Sequence, residues 1–124
     1  QEAKFRGDRE VAEAQLSNAA DQLADLHAKI DGQLRASLLD VQTTAQLVRV
    51  AQSNVELATK TLEQVTDRFT AGIDDNLPVV QAQSTLAASQ SQLINSLYQF
   101  NEAKLGLARH LGIVETQYKV YLGR

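Results

Sequence analysis

Cysteine is absent from this 124-residue chain. That excludes a disulfide frame and thiolate metal sites, and it fits the periplasm. Tryptophan and methionine are missing as well, and aromatic residues make up 5% of the chain. Such a composition favours long helices over a large interlocked core. There is no basic cluster and the formal net charge is -3, so neither electrostatic capture of a phosphate backbone nor a nucleic-acid partner is expected. No apolar run approaches the ~20 residues that a membrane-spanning helix needs. The opening residues Gln1, Glu2, Ala3 and Lys4 carry neither a signal peptide nor an initiator methionine, so the chain reads as a mature or excised segment.

What is present is helix. Good helix formers run over residues 8–71 with no proline and one interior glycine, Gly32. Asp8, following Gly7, is the expected N-cap. Leu16, Leu23 and Ile30 are spaced by sevens, and Leu34, Leu38, Val41, Ala45 and Val48 follow in steps of four and three. Ala51, Val55, Ala58, Leu62, Val65 and Phe69 continue the series. This is a heptad repeat, and the double step of three at Val48 and Ala51 resembles a stammer. A sparser stripe of Leu39, Val50 and Leu57 lies well round the helix and suggests neighbours on both sides, as in a closed ring of helices. The plainer reading is that scattered surface leucines are normal.

The one interruption lies at Gly72 to Pro78. Gly72 suits the left-handed position just past a helix end, and Pro78 suits the first turn of a new helix. Asp74, Asp75 and Asn76 between them favour turns and helix N-termini. A second helix is expected over residues 78–111. One of its stripes is Val79, Leu86, Leu93, Leu97, Phe100, Leu107 and Leu111, and the other is Val80, Ala87, Ile94, Tyr98, Leu105 and Ala108. Gly112 is the expected stop, and Tyr118 to Tyr121 alternate weakly like a strand. The expected fold is therefore all-α: a long antiparallel helical hairpin or coiled coil, its first helix about twice the length of the second. One segment spans 1–124, with helices over 8–71 and 78–111, a tip over 72–77 and a tail over 112–124.

At 1.5 Å per residue the first helix would be roughly 95 Å long and the second roughly 50 Å. Residues 8–34 are then expected to lack a partner within the chain, and two helices alone bury little core. The isolated chain is expected to self-associate.

The chemistry of the sequence is sparse. His27 and Asp31 lie four apart on one helix face, but two ligands do not make a metal site, and His110 is distant from both. Asp74 and Asp75 lack the shielded pocket that tunes a carboxylate for acid–base work. No phosphate-binding glycine loop or nucleophile elbow is present. Asp31 with Arg35 and Glu56 with Lys60 are spaced for solvated ion pairs. No catalytic, cofactor or metal residue is assigned, and enzyme activity is not expected.

The stretch from Asp67-Arg68-Phe69-Thr70-Ala71-Gly72-Ile73-Asp74-Asp75-Asn76-Leu77 through Val80-Gln81-Ala82-Gln83, with Asn101, Ala103-Lys104, Leu107-Ala108-Arg109 and Leu111-Gly112, resembles the TolC-like outer-membrane efflux protein family in its carboxy-terminal half-repeat. Phe5-Arg6-Gly7 is similar to the end of that family's link from β-barrel strand to long helix. The resemblance implies a homotrimer whose β-barrel continues into a periplasmic α-barrel in the Gram-negative envelope. It also implies that the hairpin tip is the periplasmic entrance and meets an adaptor protein coupled to an inner-membrane transporter. Arg68, Ala71, Gly72, Ile73, Asp74, Asp75, Asn76 and Leu77 would carry that contact or line the aperture. Where some members place carboxylates on the first turns of the second helix, this chain has Pro78 and Gln81. Two alternatives remain open: the hairpin of a periplasmic adaptor (membrane fusion) protein, and a purely structural coiled coil.

Overall fold

A computed structural model describes residues 1–121. Two helices account for nearly all of them: α1, Glu2–Thr70, and α2, Leu77–Tyr121. No strand occurs among the described residues. The all-α expectation therefore stands, but the proportions differ. With 69 residues against 45, α1 is about one and a half times the length of α2 rather than twice.

The ends account for that difference. Asp8 is not the N-cap, because α1 already begins at Glu2, where Phe5 N–H donates to the Gln1 carbonyl at 3.1 Å. A glycine inside a helix costs only about 1 kcal/mol, and the helix formers Glu2, Ala3, Lys4 and Arg6 flanking Gly7 outweigh it. Phe5-Arg6-Gly7 therefore lies within the helix, not in a link. Gly112 does not stop α2 either, and residues 118–121 are helical rather than strand-like. Gly112 keeps a helical φ, since Gly72 alone among the described glycines has a positive one. Its carbonyl accepts a bond from Thr116 Oγ1 at 2.9 Å.

The described residues fall into two compact units. One is Ser37–Arg109, and the other combines Gln1–Ala36 with the chain from His110 onward. In the first unit the helices return antiparallel from the turn, and burial traces their seam. On α1 the covered positions are Ser37, Val41, Thr44, Ala45, Val48, Ala51, Val55, Ala58, Leu62 and Val65; on α2 they are Pro78, Val79, Ala82, Leu86, Ser89, Leu93, Ser96, Phe100, Ala103, Gly106 and Leu107. In each helix a series alternating steps of three and four runs through these positions, from Val41 to Val65 and from Val79 to Leu107, and Ala45, Pro78 and Gly106 are half-buried beside it. Large residues hold the a positions (Val41, Val48, Val55, Leu62; Val79, Leu86, Leu93, Phe100), and mostly small ones hold d. An antiparallel pairing sets a against d, so large residues of one helix fall against small ones of the other.

Apart from Val48, the deepest residues are small. Ala51 is 2% exposed, and Ala58, Ala82, Ser37 and Ser96 are also buried. That pattern belongs to helices that approach closely, toward the short end of the ~8–10 Å range. Two of the seam hydroxyls, those of Thr44 and Ser96, are bonded within their own helix. Thr44 Oγ1 donates to the Asp40 carbonyl at 2.6 Å and Ser96 Oγ to the Gln92 carbonyl at 2.9 Å, so neither is left desolvated and unpaired. Ser37 takes the seam position that hydrophobicity alone gives to Leu38, which is 45% exposed.

In the other unit Leu26, Ile30 and Leu34 are half-buried, as are His110, Val114 and Gln117, whereas residues 1–25 are exposed throughout. The uncovered stretch is thus 2–25 rather than 8–34, because α2 continues ten residues past the expected stop at Leu111. The i,i+4 ion pairs among the described residues are Arg9–Glu13 and Glu115–Lys119. Asp31–Arg35 and Glu56–Lys60 do not close. Fully solvated pairs gain a few tenths of a kcal/mol at best, too little to fix such long side chains.

Candidate functional site

The turn between the helices is built residue by residue from its sequence. Ile73 N–H donates to the Arg68 carbonyl at 2.9 Å and Gly72 N–H to the Phe69 carbonyl at 3.0 Å. Together these are the paired bonds of a Schellman motif, which satisfies the last carbonyls of α1. The motif needs a left-handed residue, and Gly72 supplies it with φ 77°. No atom lies within 4 Å of where a Cβ would stand, so the requirement for glycine is one of backbone conformation alone.

Three more bonds bring the chain into α2. Arg68 Nε donates to Asp74 Oδ2 at 2.6 Å, a charge-assisted contact. That contact, through its hydrogen bond first and its charge second, raises the Arg68 pKa above its ordinary value. Asp75 Oδ1 accepts from Leu77 N–H at 2.9 Å, capping the first free donor of α2. The Asn76 carbonyl accepts from Val80 N–H at 3.1 Å, which is the first intrahelical bond. Pro78 then occupies the second helical position, where no donor is needed.

All eight residues expected at the tip, from Arg68 to Leu77, lie in this one turn. Their chemistry divides. Asp74 and Asp75 accept bonds from different partners, so they do not form an acid–base pair. Asp74 is half-buried, and the other seven are exposed. Among the exposed residues are large apolar ones: Ile73 is 63% exposed, and Leu77 and Phe69 are about half exposed. Phe69 was expected in the heptad stripe and in the family-like stretch, but not among the contact residues of the tip. It is the last large residue of α1, beyond which the turn leaves nothing to cover it, and its place next to a helix end was the available signal.

Just behind the turn a groove of about 470 Å³ runs along one flank of the Ser37–Arg109 unit. Leu57, Asn54 and Thr61 line it from α1; Pro78, Gln81 and Thr85 line it from α2. Leu47, Val50 and Leu57 share that flank by heptad position and are exposed. The exposed apolar residues of α2 at the corresponding outer positions, Val80, Ile94 and Leu97, lie on the opposite flank. The unit therefore carries two different apolar edges. Further along α2, Lys104 Nζ sits 4.6 Å from the centre of the Phe100 ring, a cation–π contact. The Tyr98 hydroxyl bonds to Glu102, which raises the tyrosine pKa above its ordinary value.

No group of three or more His, Cys, Asp or Glu that could hold a metal occurs among the described residues. No helix among them is long and apolar enough to cross a membrane. Residues 3–113 match the profile of a family described as outer membrane efflux protein. No curated protein and no solved structure gives a match.

Proposed function

Because the chain belongs to the outer membrane efflux protein family over residues 3–113, we propose that it is a helical-hairpin segment of the periplasmic tunnel of a trimeric efflux channel. In this reading the turn at 71–76 stands at the entrance and docks to a periplasmic adaptor coupled to an inner-membrane transporter. The family's role is transport, and no catalytic step is assigned to any residue.

The observation that carries this reading is the pair of unlike apolar edges. A two-fold dimer joins like surfaces to like. Here Leu47, Val50 and Leu57 face one way and Val80, Ile94 and Leu97 the other, so an edge of one kind meets an edge of the other kind. Repetition of such a contact closes into a ring when the rotation allows it. The thin seam argues in the same direction, since no large side chain among the described residues is fully buried. Two helices leave apolar surface that only further helices can cover.

The test is made in the full-length protein. Ile73→Asp and Leu77→Asp at the tip should abolish drug efflux while the protein's amount in the outer membrane stays unchanged. Undiminished efflux would favour a purely structural coiled coil.

A further inference from the structure

The two aspartates of the tip carry its only negative charge, and both are engaged within the turn. Asp75 is bonded to Leu77 N–H and Asp74 to Arg68 Nε. Arg68 also holds the next residue back, because its carbonyl accepts from Ile73 N–H. One residue thus fixes two consecutive positions of the turn, Ile73 through its backbone and Asp74 through its side chain. The usual Schellman motif adds an apolar contact between the residues that here are Arg68 and Ile73. In this chain the arginine reaches past Ile73 to Asp74, and the isoleucine is left pointing outward, 63% exposed.

We propose that Arg68 and Asp74 are positioning residues: their clasp sets the direction of Ile73, and the outward contact of the tip is apolar rather than electrostatic. This rests on the reading of the tip as the docking end. Neither member of the clasp needs to touch the partner. The pair is exposed enough that the helices fold without it, so its loss is felt in docking and not in assembly. An exposed ion pair that orients a contact should change binding by up to about fivefold.

The experiment is a double-mutant cycle in the full-length protein with Arg68→Gln, Asp74→Asn and both together, alongside Arg68→Lys and Ile73→Asp. The readout is drug resistance at matched outer-membrane abundance. Residues that act through each other lose the same interaction in either single variant, so the double variant should be no worse than the singles. Arg68→Lys, which keeps the charge, should recover part of the loss. Additive losses would mean that Arg68 and Asp74 each contact the partner independently, and would overturn the clasp. A strong effect of Ile73→Asp with none from either clasp variant would also overturn it and leave the docking reading intact. No effect of Ile73→Asp would overturn the docking reading, and the clasp with it.

Discussion

Residues 2–25 and 41–65 lie on the same helix and follow the same seven-residue repeat, yet only the second stretch is covered. In 41–65 the large residues Val41, Val48, Val55 and Leu62 hold the a positions, and small residues such as Ala51 and Ala58 hold most of the d positions. Upstream, Leu16, Leu23 and Ile30 hold d, while Glu13, Ala20 and His27 hold a. The pattern that interlocks with α2 is therefore reversed there, and α2 offers no such partner: residues 2–25 are exposed throughout. A heptad repeat states that a helix has an apolar stripe. Whether that stripe is covered depends on which partner the rest of the protein brings to it.

The comparison can be broken at several points. The largest effect is expected at the deepest position of the covered stretch. Ala51→Leu has no room and should destabilise the chain by about 2–3 kcal/mol, read as a lower urea midpoint under conditions where the chain is monomeric. Gly72→Ala comes next. It forces a Cβ into the left-handed region and should cost about 1–2 kcal/mol, with no packing clash to relieve. Gly32→Ala, at an exposed helical position with nothing within 4 Å, should instead stabilise the chain by about 0.5–1 kcal/mol, read as a higher urea midpoint.

Leu16→Ala in the uncovered stretch should leave monomer stability within about 0.5 kcal/mol. The isolated chain should nevertheless self-associate, and this substitution should shift association to higher concentration in sedimentation. A folded monomer at all concentrations would remove the basis for treating 2–25 as an unfilled interface. The smallest effect is electrostatic. Tyr98 should ionise at higher pH than an ordinary tyrosine, and Glu102→Gln should return it toward the ordinary value in an ultraviolet titration. Because the folded pKa is raised, whatever the Tyr98–Glu102 bond contributes is present below the normal tyrosine range and is lost only as pH rises through the raised value.

Gly72, the Asp-Asp-Asn run and Pro78 were enough to place the turn and the antiparallel return, because each enforces a backbone conformation by local chemistry. The helical conformation of residues 2–7 and 112–121 was not legible. Gly7 and Gly112 carry a stop signal that neighbouring helix formers and a continuing seam at Val114 and Gln117 override. The phase of the seam was misread for a different reason. Apolar scanning prefers Leu38 to Ser37, but closely approaching helices place the smallest side chain deepest. At the tip, the identities of the residues were legible. Their division into carboxylates engaged within the turn and exposed, unengaged Ile73, Leu77 and Phe69 was not, since it depends on which atoms Arg68 and Leu77 reach.

The alternation of large and small residues along the seam also limits how the Ser37–Arg109 unit can move. Axial slip of one helix past the other would bring Val48 and Leu86 out of register with the small residues they fit against, and close-packed interiors do not deform continuously to allow it. The Schellman turn ties the two helices at one end. Any opening that this hairpin undergoes is therefore a swing about the tip or a rigid tilt of the pair, not a piston stroke.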